Sequence, residues 1–134
     1  MNNGPIIHTA LVVDDVDINR YIASRLLENF AVNVHCAMNG QEAIEKCGSL
    51  HYDLVLMDIQ MPLFDGIQAT KIIREHEKEY DKIPVCIIAL TAYGEYKKQC
   101  LEVGMNAFLT KPLSFDKLKT IIYEYVLTKP EKGV

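Results

Sequence analysis

The stretch Leu54-Val55-Leu56-Met57-Asp58-Ile59-Gln60-Met61-Pro62 decides the fold. Its four leading apolar residues read as a strand buried on both faces, as in the middle of a parallel sheet. An acid comes next, where the strand should emerge. Pro62 cannot donate to a ladder and Asp65-Gly66 is a turn signal, so the strand stops there. Asp58 is thereby presented at the carboxyl end of a central strand, the edge at which open α/β sheets bind ligands. Acids also end strands for purely local reasons, because Asp favours turns. The flanking sequence decides between the two roles.

Upstream, Ile6 to Val13 is an apolar run that ends in Asp14-Asp15. Asp17 is placed to cap a helix, whose Ile18, Tyr21, Ile22, Arg25, Leu26 and Phe30 fall on one face. Val32, Val34 and Cys36 alternate with Asn33 and His35, which predicts a second strand with a wetter face, near a sheet edge. Asn39-Gly40 marks a turn, and Ala43, Ile44 and Cys47 give a short helix closed by Gly48. Downstream of Gly66, Ile67, Ala69, Ile72 and Ile73 line one side of a helix. Asp81-Lys82-Ile83-Pro84 is a loop. Val85 to Leu90 is a fourth apolar run, ending in Thr91-Ala92. Glu95 to Val103 reads as a weak helix stopped by Gly104. Ala107-Phe108-Leu109-Thr110 is a short fifth strand ending in Lys111-Pro112. Ser114 caps a last helix with Phe115, Leu118, Ile121, Ile122, Tyr125 and Val126 on its buried side. Five strand-then-helix units predict an α/β fold, a doubly wound parallel sheet with right-handed crossovers.

The 134 residues read as one domain with a core over 6–127, loose ends at 1–5 and 128–134, and no linker. A net charge of −4 disfavours a nucleic-acid grip through bulk electrostatics. The apolar runs are too short to span a membrane, and Met1-Asn2-Asn3-Gly4-Pro5 carries no signal-peptide pattern. Cys36, Cys47, Cys86 and Cys100 are widely spaced, as reduced cytosolic thiols are, so a cytoplasmic protein is expected. His8, His35, His51 and His76 are equally scattered and suggest no metal site.

The side chains at the strand exits are more telling. The first strand delivers Asp14 and Asp15, the third Asp58, the fourth Thr91 and the fifth Lys111. In a parallel sheet these ends share one rim. Crowded carboxylates repel unless a cation joins them, and Mg²⁺ suits one or two carboxylates with water and phosphate oxygens. A lysine and a hydroxyl complete a site shaped for a phosphoryl group, and a carboxylate can itself be the nucleophile. Taken singly, each residue also has a structural reading as a turn acid, a cap or a surface charge.

The set Asp14-Asp15, Met57-Asp58-Ile59-Gln60-Met61-Pro62 with Asp65-Gly66, Ala89-Leu90-Thr91-Ala92 and Lys111-Pro112 resembles the receiver domains of two-component response regulators. The match runs from Ile7 to Leu127. The resemblance implies a flavodoxin-like sheet of order 2-1-3-4-5. It implies that Asp58 accepts a phosphoryl group from a phosphohistidine on a histidine kinase or histidine phosphotransfer protein. It implies that Asp15, Asp58 and the backbone carbonyl of Gln60 hold Mg²⁺, with Asp14 acting through water. Lys111 would bind a phosphoryl oxygen, Lys111-Pro112 would be cis, and Thr91 would swing toward the phosphate as Phe108 turns inward. Phe108 has no hydroxyl, so such a switch would rest on packing. Gln60 and Tyr93 would border the path of a hydrolytic water and set the phosphoryl lifetime.

Such a domain is a signalling module that catalyses only its own phosphorylation and dephosphorylation. Asp17-Ile18-Asn19-Arg20 and Ile59-Gln60-Met61-Pro62 look more like receivers of hybrid histidine kinases than stand-alone regulators. Ile18 and Tyr21 are candidate docking positions for a phosphotransfer protein, or else core. The fourth-helix, fifth-strand and fifth-helix face is a second candidate surface, for a homodimer. The alternative reading is a haloacid-dehalogenase-like phosphatase attacking through Asp15 of Asp15-Val16-Asp17. It leaves the Asp58 motif unexplained.

Overall fold

In the computed structural model, which describes residues 5–61 and 65–126, strands and helices alternate along the chain. The order is β1 (Ile7–Val13), α1 (Asp17–Leu27), β2 (Ala31–Ala37), α2 (Gly40–Ser49), β3 (Leu54–Asp58), α3 (Gly66–Glu79) and β4 (Cys86–Thr91). A 3₁₀ turn (Gly94–Tyr96) leads into α4 (Lys97–Glu102), then β5 (Ala107–Thr110) and α5 (Phe115–Ile121), which ends in a π turn (Ile122–Val126). The strands are all parallel in the order β2-β1-β3-β4-β5, the flavodoxin-like arrangement expected. The strand-stopping role of Pro62, the end of the core at Leu127 and most of the two loose ends lie outside the described residues.

Side chains alternate across the sheet with period two and feed two cores. Ala10, Val12, Leu54, Leu56 and Ile88 face α1 and α5, where they meet Ala23, Leu27, Leu118 and Ile122. Leu11, Val13, Val55, Met57, Ile87 and Ala89 face the opposite way, against Ala43, Ala69, Ile73 and Cys100 of α2, α3 and α4. Every residue of β3 is buried, as its unbroken apolar run predicts. β2 lies at the edge, with Val32 and Cys36 exposed.

Several local expectations are corrected. Asp17 does not cap α1: it is the first helical residue, after Val16, and pairs with Arg20 instead. Asp14 does the local work, its carboxylate accepting the Val16 N–H at 2.9 Å. The buried stripe of α1 runs through Ala23 and Leu27, so Ile18 (59% exposed), Tyr21 (60%) and Ile22 (46%) face outward. Gly48 does not end α2, which runs on to Ser49. On α3, Thr70 is buried while Ile72 is 37% exposed, and on α5 and its π turn Phe115 and Tyr125 are not buried, at 42% and 37% exposed.

The amino-terminal side of the sheet is held by a polar clamp. Arg74 of α3 donates to the Gly104 carbonyl, Glu77 and Asn106, while Glu77 accepts the Val85 N–H and Asn106 the Ile87 N–H. Gly104 sits at φ +105, and a Cβ there would press on Arg74 at 3.1 Å. Glycine is therefore required at this position both for its conformation and for its lack of a side chain.

Candidate functional site

The strand ends meet as the topology requires. Asp58 is the last residue of β3, Thr91 the last of β4, and Asp14 and Lys111 are the first residues after β1 and β5. The Lys111 ammonium stands 3.5 Å from Asp58 Oδ2 and 3.7 Å from Asp14 Oδ2. Asp14 and Asp58 are 3% and 2% exposed, whereas Asp15 is exposed. Asp14, Asp15 and Asp58 each offer a carboxylate oxygen within 4.8 Å of the others. That oxygen set, two of its members shielded from water, fits a hard divalent cation such as Mg²⁺.

Local structure aims these groups. Asp58 Oδ1 accepts the N–H of Gln60 at 3.0 Å, which fixes the carboxylate and turns the chain. Gly66 opens α3 directly against β3: a Cβ there would lie 2.4 Å from the Asp58 carbonyl oxygen and 2.7 Å from Met57. Asp65 caps the same helix in a reciprocal box with Gln68. On the other side Lys111-Pro112 is cis. Lys117, in the first turn of α5, donates at 3.1 Å to the carbonyls of both Thr110 and Pro112, strapping the segment that carries Lys111. Arg20 holds the Asp14 carbonyl at 2.7 Å.

The electrostatics are set by burial. Loss of solvent pushes the Asp58 carboxyl up to about 6, and the neighbouring Asp14 charge adds to the rise. The Gln60 N–H and Lys111 pull in the opposite direction. Asp58 is thus a carboxylate kept basic by dehydration, a favourable state for a nucleophile or metal ligand.

Thr91 is fully buried, yet its hydroxyl is turned to Gln60, donating to the side-chain carbonyl at 3.1 Å and accepting the Tyr93 N–H at 3.1 Å. Tyr93 itself is 53% exposed. Phe108 is half-buried against the core on the α3 and α4 side. The structure therefore assembles Asp14, Asp15, Asp58 and Lys111, and places Gln60, Thr91 and Tyr93 in one chain of contacts beside them. Lys117, Arg20 and the tight approach at Gly66 are seen only in the fold. Of these, Gly66 has a local sequence signal, the Asp65-Gly66 pair, which by itself indicates no more than a turn, and Arg20 falls in the Asp17-Ile18-Asn19-Arg20 segment, which carries a family likeness and no role.

Comparison with known proteins agrees with this geometry. The family model described as the response regulator receiver domain matches residues 10–123. The osmosensing histidine protein kinase SLN1 of Saccharomyces cerevisiae is 41% identical over 123 residues, covering 86% of this chain and 10% of that protein. The chain thus spans a tenth or less of the length of the histidine kinases that it matches. A similar solved structure is the co-crystal of the S. cerevisiae histidine phosphotransfer protein Ypd1 with the receiver domain of its downstream response regulator Ssk1. It matches with a TM-score of 0.85 and 31% identity, covering 99% of this chain and 97% of that one. The receiver domain of the histidine kinase CKI1 from Arabidopsis thaliana, complexed with Mg²⁺ and BeF₃⁻, gives 0.76 and 33%, covering 90% of each chain. These matches lend no support to a dehalogenase-like phosphatase. No helix among the described residues is long and apolar enough to cross a membrane.

Proposed function

Because this chain belongs to the response regulator receiver domain family, a module of two-component phosphorelays, we propose that Asp58 is its phosphoacceptor. An Asp58 oxygen attacks the phosphorus of a phosphohistidine on a partner. The P–N bond breaks, the imidazole nitrogen keeps the electron pair, and an acyl phosphate forms on Asp58. The observation that carries this reading is the pairing of one half-buried cation, Lys111, with two buried acids at the carboxyl edge of the sheet.

The residues divide the work. Asp14, Asp15, Asp58 and the Gln60 carbonyl would hold Mg²⁺, which when bound offsets the charge of the acids and of phosphoryl oxygens. Lys111 neutralises a phosphoryl oxygen from the β5 side, and Thr91 supplies a hydrogen bond once its hydroxyl turns. Phe108 fills the space that Thr91 vacates, by packing alone.

Tyr93 lies two residues beyond Thr91 and sets how long the acyl phosphate lasts, by obstructing water. Tyr93→Ala is expected to shorten the half-life of the phosphorylated protein several-fold, measured by decay after the phosphodonor is removed. Equal decay in wild type and variant contradicts this role.

The partner is a histidine phosphotransfer protein or the phosphohistidine domain of a kinase, docking on α1. Ile18, Tyr21 and Ile22 are exposed there, beside a cleft of about 480 Å³ that Val12, Ile22 and Leu113 line and Asp14 and Lys111 border. Likeness to the Ssk1 receiver crystallised with Ypd1 supports this choice. Replacing both Ile18 and Tyr21 by Ala is expected to slow transfer from a phosphorylated phosphotransfer protein about tenfold or more. Labelling by a small phosphodonor, which needs no docking, is retained. An equal loss with both donors places the two residues in the fold, not in the interface.

A further inference from the structure

The Thr91 hydroxyl has one proton. The Tyr93 N–H occupies one of its lone pairs, so that proton is directed to the Gln60 side-chain carbonyl. Gln60 also donates its backbone N–H to Asp58 Oδ1, so one residue touches both the carboxylate and the hydroxyl. In this arrangement Thr91 cannot donate to a group attached at Asp58 without releasing Gln60. We propose that the Gln60 side chain is a positioning residue that latches Thr91 in the resting state, and that its strength sets how readily the site accepts a phosphoryl-like ligand. This rests on Asp58 being the phosphoacceptor.

Position and exposure suit the role. Thr91 is fully buried at the end of a central strand, whereas Gln60 is exposed. When the bond opens, the Gln60 amide returns to water at little cost, while Thr91 exchanges one acceptor for another. The latch is weak by construction, and a weak restraint is one that an arriving anion can release. Its removal should therefore favour the bound state and leave the core intact.

The test is the affinity of the Mg²⁺-loaded full chain for beryllofluoride, titrated by isothermal calorimetry. Gln60→Met, which keeps the backbone carbonyl and the side-chain length but replaces the amide oxygen with a much weaker thioether acceptor, should tighten binding about fivefold. The same substitution in a Thr91→Val background should have no effect, and in a Thr91→Ser background the gain should return. An unchanged or weakened affinity in Gln60→Met, or an equal gain without the hydroxyl, overturns the latch while leaving the phosphoacceptor reading intact. If wild type binds no beryllofluoride, or Asp58→Ala binds it as well as wild type, the phosphoacceptor reading fails and the latch with it.

Discussion

Asp58→Asn takes up no detectable label from acetyl phosphate and Mg²⁺, and it unfolds later than wild type in metal-free buffer. The first result is a matter of chemistry: an amide is not a nucleophile toward phosphorus, and Asp14 is held by the Val16 N–H and by Lys111. The second separates loss of function from loss of fold. Burial, with the adjacent Asp14, raises the folded-state pKa of Asp58 to about 6 from an ordinary value of 3.8. Between those values the folded protein binds more protons than the unfolded chain, so stability falls as pH rises through the window. Above it the whole penalty of an ionised, dehydrated carboxylate is in force. Asn carries no such penalty, so its advantage fades toward zero as pH falls to about 4 and below, and reaches about 3 kcal/mol at pH 7 and above. Chemical denaturation in a chelator at pH 4 and pH 7.5 measures both ends. An Asn variant less stable than wild type at pH 7.5 contradicts the account of a charge-frustrated site.

Lys111→Met lowers the initial rate of phosphorylation about a hundredfold, in the range seen when one preorganised donor to a developing charge is removed. Among the described residues, Lys111 is the cation placed within 4 Å of both Asp14 and Asp58. Its position is built: Lys117 ties the carbonyls on either side, and the Lys111 N–H bonds the Thr91 carbonyl at 2.8 Å. Met keeps the length and much of the packing of the lysine stem, so the loss reads the charge. Saturating Mg²⁺ does not rescue it, because metal and ammonium would neutralise different oxygens. A rate equal to wild type in Lys111→Met, measured under initial-rate conditions, removes lysine from the proposed machinery.

β3 is legible because a strand covered on both faces leaves a run of apolar residues with an acid at its exit, and no other element produces that pattern cheaply. The ends of β1 and β4 are legible for the same reason, whereas β5 is a short edge strand read from Lys111-Pro112 at its exit. Strand order comes from resemblance, since periodicity does not rank strands within a sheet. The face of α1 stays open in the sequence, between docking surface and core, because Ile18, Tyr21 and Ile22 form an apolar stripe of their own, separate from Ala23 and Leu27. Periodicity reports that a stripe exists, not whether core or partner covers it. The Thr91 to Gln60 contact is hidden for a different reason: it depends on a side-chain rotamer and on one hydrogen atom, neither of which has a sequence pattern. Lys117 is hidden because a lysine in a first helical turn reads as a solvated charge until the carbonyls it straps are seen.

The most direct measurement is to locate the phosphoryl group. The protein is incubated with acetyl phosphate and Mg²⁺, then reduced with borohydride, which converts an aspartyl phosphate to homoserine. Trypsin separates the candidates, because cleavage after Arg20, Lys46 and Lys71 leaves Asp14, Asp15 and Asp17 in one peptide and Asp58 in another. Homoserine at position 58, with none in the amino-terminal peptide, is the predicted result. Homoserine at position 14 or 15, with residue 58 unmodified, contradicts the account.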